Sequence, residues 1–280
     1  MIKLEGIRKS FGPKEVLRGV SFQIEEGTIY GLIGRNGAGK TTLMNIMSGL
    51  MLADEGEFIT DKKVGYLPDL PAFYDYLTTD EYLSFLLQNQ NSKRVEELLE
   101  LVSLPTKTRI KTMSRGMKQR LGIAAVLVND PDIILLDEPT SALDPAGRND
   151  VKDILTKLKA EGRTIILSTH ILADMDSICD KAGFLTGGVI AKEVDMAEAD
   201  KSSSAILVSF KESPDLDKLY TFTQKIIKLD DTNVKLVIDP ENRVEEQTNI
   251  LRGLAELNQE ILSINSESIS LDVIFREVCK

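Results

Sequence analysis

Thr28-Ile29-Tyr30-Gly31-Leu32-Ile33 runs straight into Gly34-Arg35-Asn36-Gly37-Ala38-Gly39-Lys40-Thr41, and that into Thr42-Leu43-Met44-Asn45-Ile46-Met47-Ser48-Gly49-Leu50. The first stretch is a short apolar strand. The second is a full match to G-x-x-x-x-G-K-T. In the third, Leu43, Ile46, Met47 and Leu50 recur at helical spacing, which predicts a helix over 41–50. In this order of strand, glycine-rich loop and helix, successive main-chain N–H groups close around phosphate oxygens. The positive end of the helix, opening at Gly39, faces the same anion. Lys40 would reach the β- and γ-phosphates as a point charge, and the Thr41 hydroxyl would bind Mg²⁺. The plainer alternative is a chance glycine-rich turn. With glycine at about 7% of the chain, roughly one chain of this length in a hundred matches by accident, and the flanking strand and helix make that rarer still.

The surrounding pattern extends the same architecture. Residues 2–10 and 16–24 alternate loosely and are separated by a turn at Gly12-Pro13, so they read as an antiparallel pair at the domain's edge. From about 70 to 128 the chain reads as helical. One segment presents Thr79, Tyr82, Leu83, Phe85, Leu86 and Leu87 on an apolar face; RVEELLELVSL and MKQRLGIAAVLV form two more helices. Strand patterning returns at 132–137, 163–169 and 182–194, with helices expected near 147–160 and 171–180. Strands alternating with helices imply a mostly parallel sheet covered by helices. The polar, serine-rich stretch at 195–204 reads as a linker. Beyond it, AILVSF, LDKLYTFTQKIIKL, VKLVI, VEEQTNILRGLAEL, ILSINSES and LDVIFREV alternate as strand and helix. The expected organisation is therefore α/β, with an ATPase-like core at 1–198 and a small α+β accessory domain at 199–280.

Composition excludes several classes. The 280 residues carry a net charge of −10, with 24 basic against 30 acidic residues in 1–200 and 10 against 14 in 201–280. That balance disfavours generic binding to a nucleic-acid backbone, so no nucleic-acid partner is expected. No apolar run approaches the roughly 18–20 residues that span a bilayer. The N-terminus lacks the apolar region of a secretory signal. Two distant cysteines, Cys179 and Cys279, read as thiols of a reducing compartment, and a single histidine, His170, weighs strongly against a histidine-based zinc site.

Three further segments carry chemistry. In Ile133-Ile134-Leu135-Leu136-Asp137-Glu138-Pro139, four apolar residues deliver two carboxylates to the carboxyl end of a buried strand, where ligands of parallel sheets bind. Asp137 is a candidate for Mg²⁺, and Glu138 for orienting or deprotonating an attacking water. His170 follows another strand, Arg163–Thr169, and would share that rim. A lone histidine is more often structural; its company favours contact with a γ-phosphate. Ser114 is a plausible helix N-cap, and Gly116 after it would let a phosphate approach exposed N–H groups.

With these residues in place the chain resembles the ATP-binding subunits of ABC transporters over roughly residues 1–195. GRNGAGKTT, Gly34 to Thr42, is similar to the Walker A loop. IILLDEP is similar to Walker B, with Glu138 at the place of the catalytic glutamate. Met113-Ser114-Arg115-Gly116-Met117 resembles the signature, Ser141–Asp144 the D-loop, and His170 the switch histidine. Phe11 stands where the family places an aromatic ring against adenine, with Val16 beside it. The resemblance implies a head-to-tail homodimer with two ATP molecules, each between one Walker A loop and the partner's signature helix. It also implies ATP hydrolysis that drives a separate transmembrane permease, and a position on the cytoplasmic face of the membrane. Three residues depart from the family pattern. Asp69 takes the glutamine's place after Gly65-Tyr66-Leu67-Pro68, at a metal-facing position. Arg115 and Met117 replace a glycine and a glutamine of the signature. Arg115 either adds positive charge near the partner's nucleotide or points to solvent. These variants are similar to the type 2 exporter branch, so export is the expected direction. The aromatic segment Phe73, Tyr74, Tyr76 and Leu77 is a candidate permease contact, with core packing as the alternative. A soluble ABC ATPase acting on ribosomes or DNA, and an ATP-binding module with little turnover, are competing readings. The acidic balance weighs against the first, and intact Lys40, Glu138 and His170 against the second. A GTPase is disfavoured because no N-K-x-D motif occurs.

Overall fold

A computed structural model describes residues 2–88, 92–141, 143–172, 177–198, 205–223, 225–239, 242–267 and 271–278. By compactness the chain divides into Met1–Val194 with Phe275–Lys280, and Asp195–Ile274. The expected 1–198 and 199–280 differ from this by the few residues after Val194 and by the last six.

The first unit is built on a six-stranded sheet. Its order is β5 (Val64–Leu67), β6 (Ile133–Asp137), β7 (Thr164–Thr169), β3 (Ile29–Ile33), β8 (Lys181–Thr186) and β9 (Val189–Asp195). β5 to β8 are joined through parallel ladders. Every residue of β3, β6 and β7 is buried, which is why these strands read as unbroken apolar runs rather than alternating ones. Their register decides the rest of the molecule. Ile33 lies opposite Thr169 and Asp137 opposite Ser168, so the three central strands end within one residue of each other. Gly34, Glu138 and His170, each one residue past a strand's end, leave the sheet at the same edge.

A three-stranded antiparallel sheet, β2 (Lys14–Ile24), β1 (Ile2–Phe11) and β4 (Glu55–Ile59), supplies the N-terminal pair and a third strand not read from the sequence. Helix α1 (Lys40–Met47) shares one core with both sheets. Its Leu43, Met44, Ile46 and Met47 pack with Ile7, Leu17 and Phe22 on one side and Leu32, Leu135 and Ile166 on the other. The helix stops short of the expected residue 50. Gly49 takes φ 77°, Leu50 is 73% exposed, and the apolar spacing that pointed to Leu50 does not reach the core.

Among the described residues the helical segment holds three helices and a single 3-10 turn: α2 (Thr79–Leu87), α3 (Ser92–Leu101), Ile110–Thr112, and α4 (Arg115–Leu127). A capping box of Thr78 and Glu81 starts α2. Tyr82 and Leu83 are buried, but Phe85 is 59% exposed, so the expected apolar face is narrower than the run of large residues. α4 approaches β5 closely because both contribute glycine. A Cβ on Gly122 would stand 2.6 Å from Leu67 Cδ1, and one on Gly65 2.6 Å from Val126 Cγ1. α5 (Pro145–Ala160) begins with Asp144 as N-cap and Pro145 at its first turn, and buries Val151, Ile154, Leu155 and Leu158. Of the helix expected at 171–180, residues 173–176 lie outside the described residues, and 177–178 are turn. Residues 199–204 of the expected linker, and Cys279, also lie outside them; Cys179 is buried.

The second unit is a four-stranded antiparallel sheet in the order β11 (Lys225–Lys228), β12 (Asn233–Val237), β10 (Ala205–Phe210) and β13 (Ile261–Glu267). Ile206, Val208, Phe210, Val234 and Leu236 form its core with Leu219, and with Ile250 and Leu254 of the long helix Arg243–Glu256. The expected helix over 216–229 is corrected. Among the described residues of this stretch only Leu216–Leu219 is helical, capped by Asp215, and Lys225–Lys228 is a strand. β-branched Ile226 and Ile227 favour a pleated edge, and pairing with β12 outweighs the local helical spacing. The chain closes with the helix Leu271–Val278.

Tyr30 offers a test of the first unit's packing. It is 1% exposed, stacks on Phe22 at 4.9 Å between ring centroids, and donates its hydroxyl to Glu193 Oε1 at 2.9 Å. Burial, and after it the Glu193 carboxylate, push the phenol well above its ordinary value. An unfolded tyrosine ionises near pH 10. Above that pH the unfolded chain gives up a proton that the folded one retains, so stability falls as pH rises. Tyr30→Phe is expected to cost about 1 kcal/mol at neutral pH and to flatten the alkaline loss. Urea midpoints from neutral to alkaline pH check this, and equal alkaline slopes for both proteins would refute it.

Candidate functional site

The loop between β3 and α1 has no room for a side chain at Gly34 or Gly39. A Cβ on Gly34 would stand 2.6 Å from the carbonyl oxygen of Leu185. Gly39 caps α1 in the left-handed region at φ 108°, and a Cβ there would also meet Leu17 Cδ2 at 2.8 Å. No side chain caps this end, and no acidic residue sits in the first turn. Main-chain donors at a helix N-terminus with no competing negative charge form an anion site. Arg35, Asn36 and Gly37 are exposed at the tip of the loop, and Ala38 is half-buried against the core. Thr41 is exposed and Thr42 half-buried. Val16 flanks the loop, its Cγ1 lying 3.2 Å from a Cβ built on Gly39. Phe11, at the end of β1, is 48% exposed with Lys9 Nζ 5.9 Å from its ring centroid.

The near-level strand ends bring three charged groups into one chain of contacts. Lys40 is buried and donates to Gly34 O at 2.8 Å. Its Nζ lies 3.1 Å from Glu138 Oε1, and the other carboxylate oxygen lies 2.7 Å from His170 Nδ1. Glu138 itself adopts φ 51°, uncommon for a residue with a side chain. Its amide donates both to Ser168 O at 3.2 Å and to Ser168 Oγ at 2.9 Å, which holds that backbone. Ser168 also donates its hydroxyl to Asp137 Oδ1. It was not singled out from the sequence; its signal was a polar residue at the end of an otherwise apolar strand. The Lys40–Glu138 pair was likewise not foreseen.

Asp137 bears on the metal. It is 1% exposed, and its second oxygen, Oδ2, is buried without a hydrogen-bond partner. Leaving such an atom unmatched is costly, and a hard cation would satisfy it. Among the described residues no group of three or more His, Cys, Asp or Glu could hold a metal alone. That fits Mg²⁺, which takes one or two protein oxygens and completes its shell with phosphate and water. Asp69 lies in the same neighbourhood. It accepts from Ser141 Oγ at 3.4 Å. Burial pushes the Tyr66 phenol up to about 12, helped by the negative charges of Asp137 and Asp69.

A second constellation forms at the other candidate helix end. Ser114 caps α4, its Oγ accepting from the Met117 amide at 3.2 Å. Ser114, Arg115 and Gly116 line a cleft together with Leu143 and Asp144. Arg115 is exposed and Met117 half-buried. The Asp144 carboxylate is engaged by the Gly147 amide at 2.8 Å. A Cβ on Gly116 would meet nothing closer than Leu143 Cδ2 at 3.7 Å, so packing within the chain does not demand glycine there. Ala142 of the expected D-loop lies outside the described residues.

A family model described as ABC transporter matches residues 17–141. Over 98% of its length the chain is 32% identical to YcbN of Bacillus subtilis strain 168, an uncharacterized ABC transporter ATP-binding protein of which it covers 95%. The chain belongs to the ABC transporter ATP-binding proteins. It is 36% identical, over 71% of its own length and 93% of the other's, to the lantibiotic transport ATP-binding protein SrtF of Streptococcus pyogenes. Its fold matches the dimeric ATP-binding cassette MJ0796, solved in a post-hydrolysis state with ADP and phosphate. The TM-score is 0.64 at 26% identity, covering 70% of this chain and 99% of that one. This ABC chain is an ATP-binding subunit. Among its described residues no helix is long and apolar enough to cross a membrane.

The two glycine positions separate fold from ligand. Gly34→Ala forces a side chain onto a backbone oxygen and is expected to lower both thermal stability and nucleotide affinity. Gly116→Ala is expected to leave the unfolding free energy from urea titration unchanged, or to raise it by up to about 1 kcal/mol through helix propensity. A Gly116→Ala protein destabilised by more than about 1 kcal/mol would show that this glycine serves packing after all.

Proposed function

We propose that this subunit hydrolyses MgATP as a head-to-tail homodimer and thereby drives a separate membrane permease, in the direction of export. The observation that carries the reading is the contact chain Lys40–Glu138–His170 at the mouth of the phosphate loop. Triphosphate would sit on the N–H groups from Gly34 to Thr42, with adenine against Phe11 and Val16. Lys40 would leave Glu138 for the β- and γ-phosphates, which frees the carboxylate to take a proton from the attacking water. His170, already on Glu138 through Nδ1, would contact the γ-phosphate. Mg²⁺ would be held by Asp137 and Thr41, with Asp69 as an added carboxylate nearby, and when bound neutralises charge developing on the phosphates.

Ser114, Arg115, Gly116 and Met117 would contact the partner copy's nucleotide, with Asp144 at the same seam. A helix end that is open without packing need, at Gly116, supports that role, as does the dimeric state of the related cassette. Export is supported by the likeness to a lantibiotic transport protein. A groove of about 660 Å³, lined among others by Tyr66, Pro68, Pro71, Phe73 and Val126, suits a docking segment of the permease. Phe73 and Leu77 are half-buried while Tyr74 and Tyr76 stay exposed, so the aromatic segment serves both packing and surface. Contact with a permease would place the subunit on the cytoplasmic face of the membrane.

Two variants test the roles. Glu138→Gln is expected to bind ATP normally, to lose at least about a hundredfold in turnover, and to elute as a dimer with MgATP on size exclusion. Undiminished turnover would remove Glu138 from its role. Lys40→Ala is expected to weaken ATP binding about tenfold or more, read by equilibrium titration; unchanged affinity would defeat the phosphate cradle.

A further inference from the structure

In a chain of net charge −10, residues 101–129 contain no acidic residue and six basic ones: Lys107, Arg109, Lys111, Arg115, Lys118 and Arg120. The structure lays part of this segment against the aromatic loop that precedes α2. The Ile110 amide donates to Leu77 O at 3.0 Å, that of Lys111 to Asp75 O at 3.2 Å, and that of Thr79 to Thr108 O at 3.0 Å. Arg109 adds a bond from its guanidinium to Tyr76 O at 3.3 Å. Two stretches some thirty residues apart in sequence are thereby stitched into one surface.

That surface combines exposed cations with exposed rings. Lys107, Arg109 and Lys111 are exposed. Tyr74, Tyr76 and Phe85 are 46%, 69% and 59% exposed, and Tyr74 packs on Tyr76 and Phe85 at 5.9 and 5.7 Å between centroids. The neighbouring acids are engaged. Asp75 pairs with Lys118 at 3.0 Å. Asp80 accepts from the Thr78 hydroxyl and the Lys107 amide, and Glu81 accepts from the Thr78 amide. With Asp75 neutralised by Lys118, the face carries Lys107, Arg109 and Lys111 against Asp80 and Glu81, a net charge of +1 beside a half-exposed aromatic cluster. Interfacial tyrosine and phenylalanine with adjacent lysine and arginine is the composition that settles at anionic headgroups.

We infer that this face, carried by Tyr74, Tyr76, Phe85, Lys107, Arg109 and Lys111, binds the anionic lipid surface of a membrane directly. The inference rests on the reading that the subunit works against a membrane-embedded partner, since that partner would bring this face to the headgroups. Charge complementarity selects the anionic leaflet, and the rings supply an apolar contact that a purely electrostatic patch lacks.

The test is co-sedimentation of the full-length protein with protein-free vesicles of phosphatidylcholine, with and without phosphatidylglycerol. Binding is expected only with phosphatidylglycerol and is expected to weaken as salt rises. Each lysine near the surface contributes about 1 kcal/mol, a factor of about five, so Lys107→Gln with Lys111→Gln should lower partitioning by roughly twenty-five-fold. Tyr76→Ser should weaken it by a step that salt does not remove. Thermal melting checks that each variant is folded, and ATP titration that its nucleotide site is intact. No binding to phosphatidylglycerol vesicles, or equal binding by folded variants, would overturn the inference. So would binding confined to native membranes that still contain protein, which would assign the face to a protein partner. Because these vesicles hold no permease, failure here is distinct from failure to co-purify with one.

Discussion

Everything at the candidate site follows from the near-level ending of three parallel strands. A parallel ladder sends all its chains out of the sheet at one edge, and here the register aligns Ile33 with Thr169 and Asp137 with Ser168. One further residue on each strand yields Gly34, Glu138 and His170. A slip of one residue in any strand would turn its side chains to the opposite face and break the contact from Lys40 through Glu138 to His170. The continuous burial of β3, β6 and β7 guards against such a slip. Each strand is packed on both faces, so a shifted register would misplace a whole set of large side chains.

The electrostatics of that contact chain explain why the site suits a polyanion. Lys40 is 6% exposed, and a buried ammonium without a counter-charge would be heavily penalised. Glu138 provides that counter-charge at 3.1 Å, and is itself held in a left-handed backbone by two bonds to Ser168. A phosphate chain on the loop can replace the carboxylate as partner of Lys40 without leaving the ammonium bare. The arrangement thus has two ways of satisfying the same buried cation, and they differ in whether Glu138 is occupied.

Much of this was legible in local sequence because the relevant constraints are local. The phosphate loop declares itself through glycines that the backbone needs at Gly34 and Gly39. The carboxylates and His170 declare themselves as polar residues at the ends of apolar runs. What stayed hidden depends on neighbours distant in sequence. Ser168 matters through Asp137 and the Glu138 amide, thirty residues away, and Lys40 meets Glu138 only once β3 and β6 share a sheet. Leu50 and Phe85 fit a helical spacing yet stay exposed, since spacing names a face without naming what covers it. Lys225–Lys228 follows the same logic in reverse. Its local pattern continues a helix, and its pairing with β12 makes it a strand.

α4 ties the two candidate constellations together. Its first residues carry the open helix end at Ser114 and Gly116, and two turns later Gly122 receives Leu67 of β5 in contact too close for any side chain. Two residues beyond Leu67 the chain reaches Asp69, which is bonded to Ser141 in the loop after Glu138. The Gly122–Leu67 step of this route is close-packed and yields little to small displacements. The loop after Glu138 thus touches Asp69, and the strand that leads to Asp69 touches α4 through Leu67. The Ser114 end of α4 and the carboxylate rim are linked by one glycine contact and one hydrogen bond of 3.4 Å, and the groove lined by Tyr66, Phe73 and Val126 lies along it.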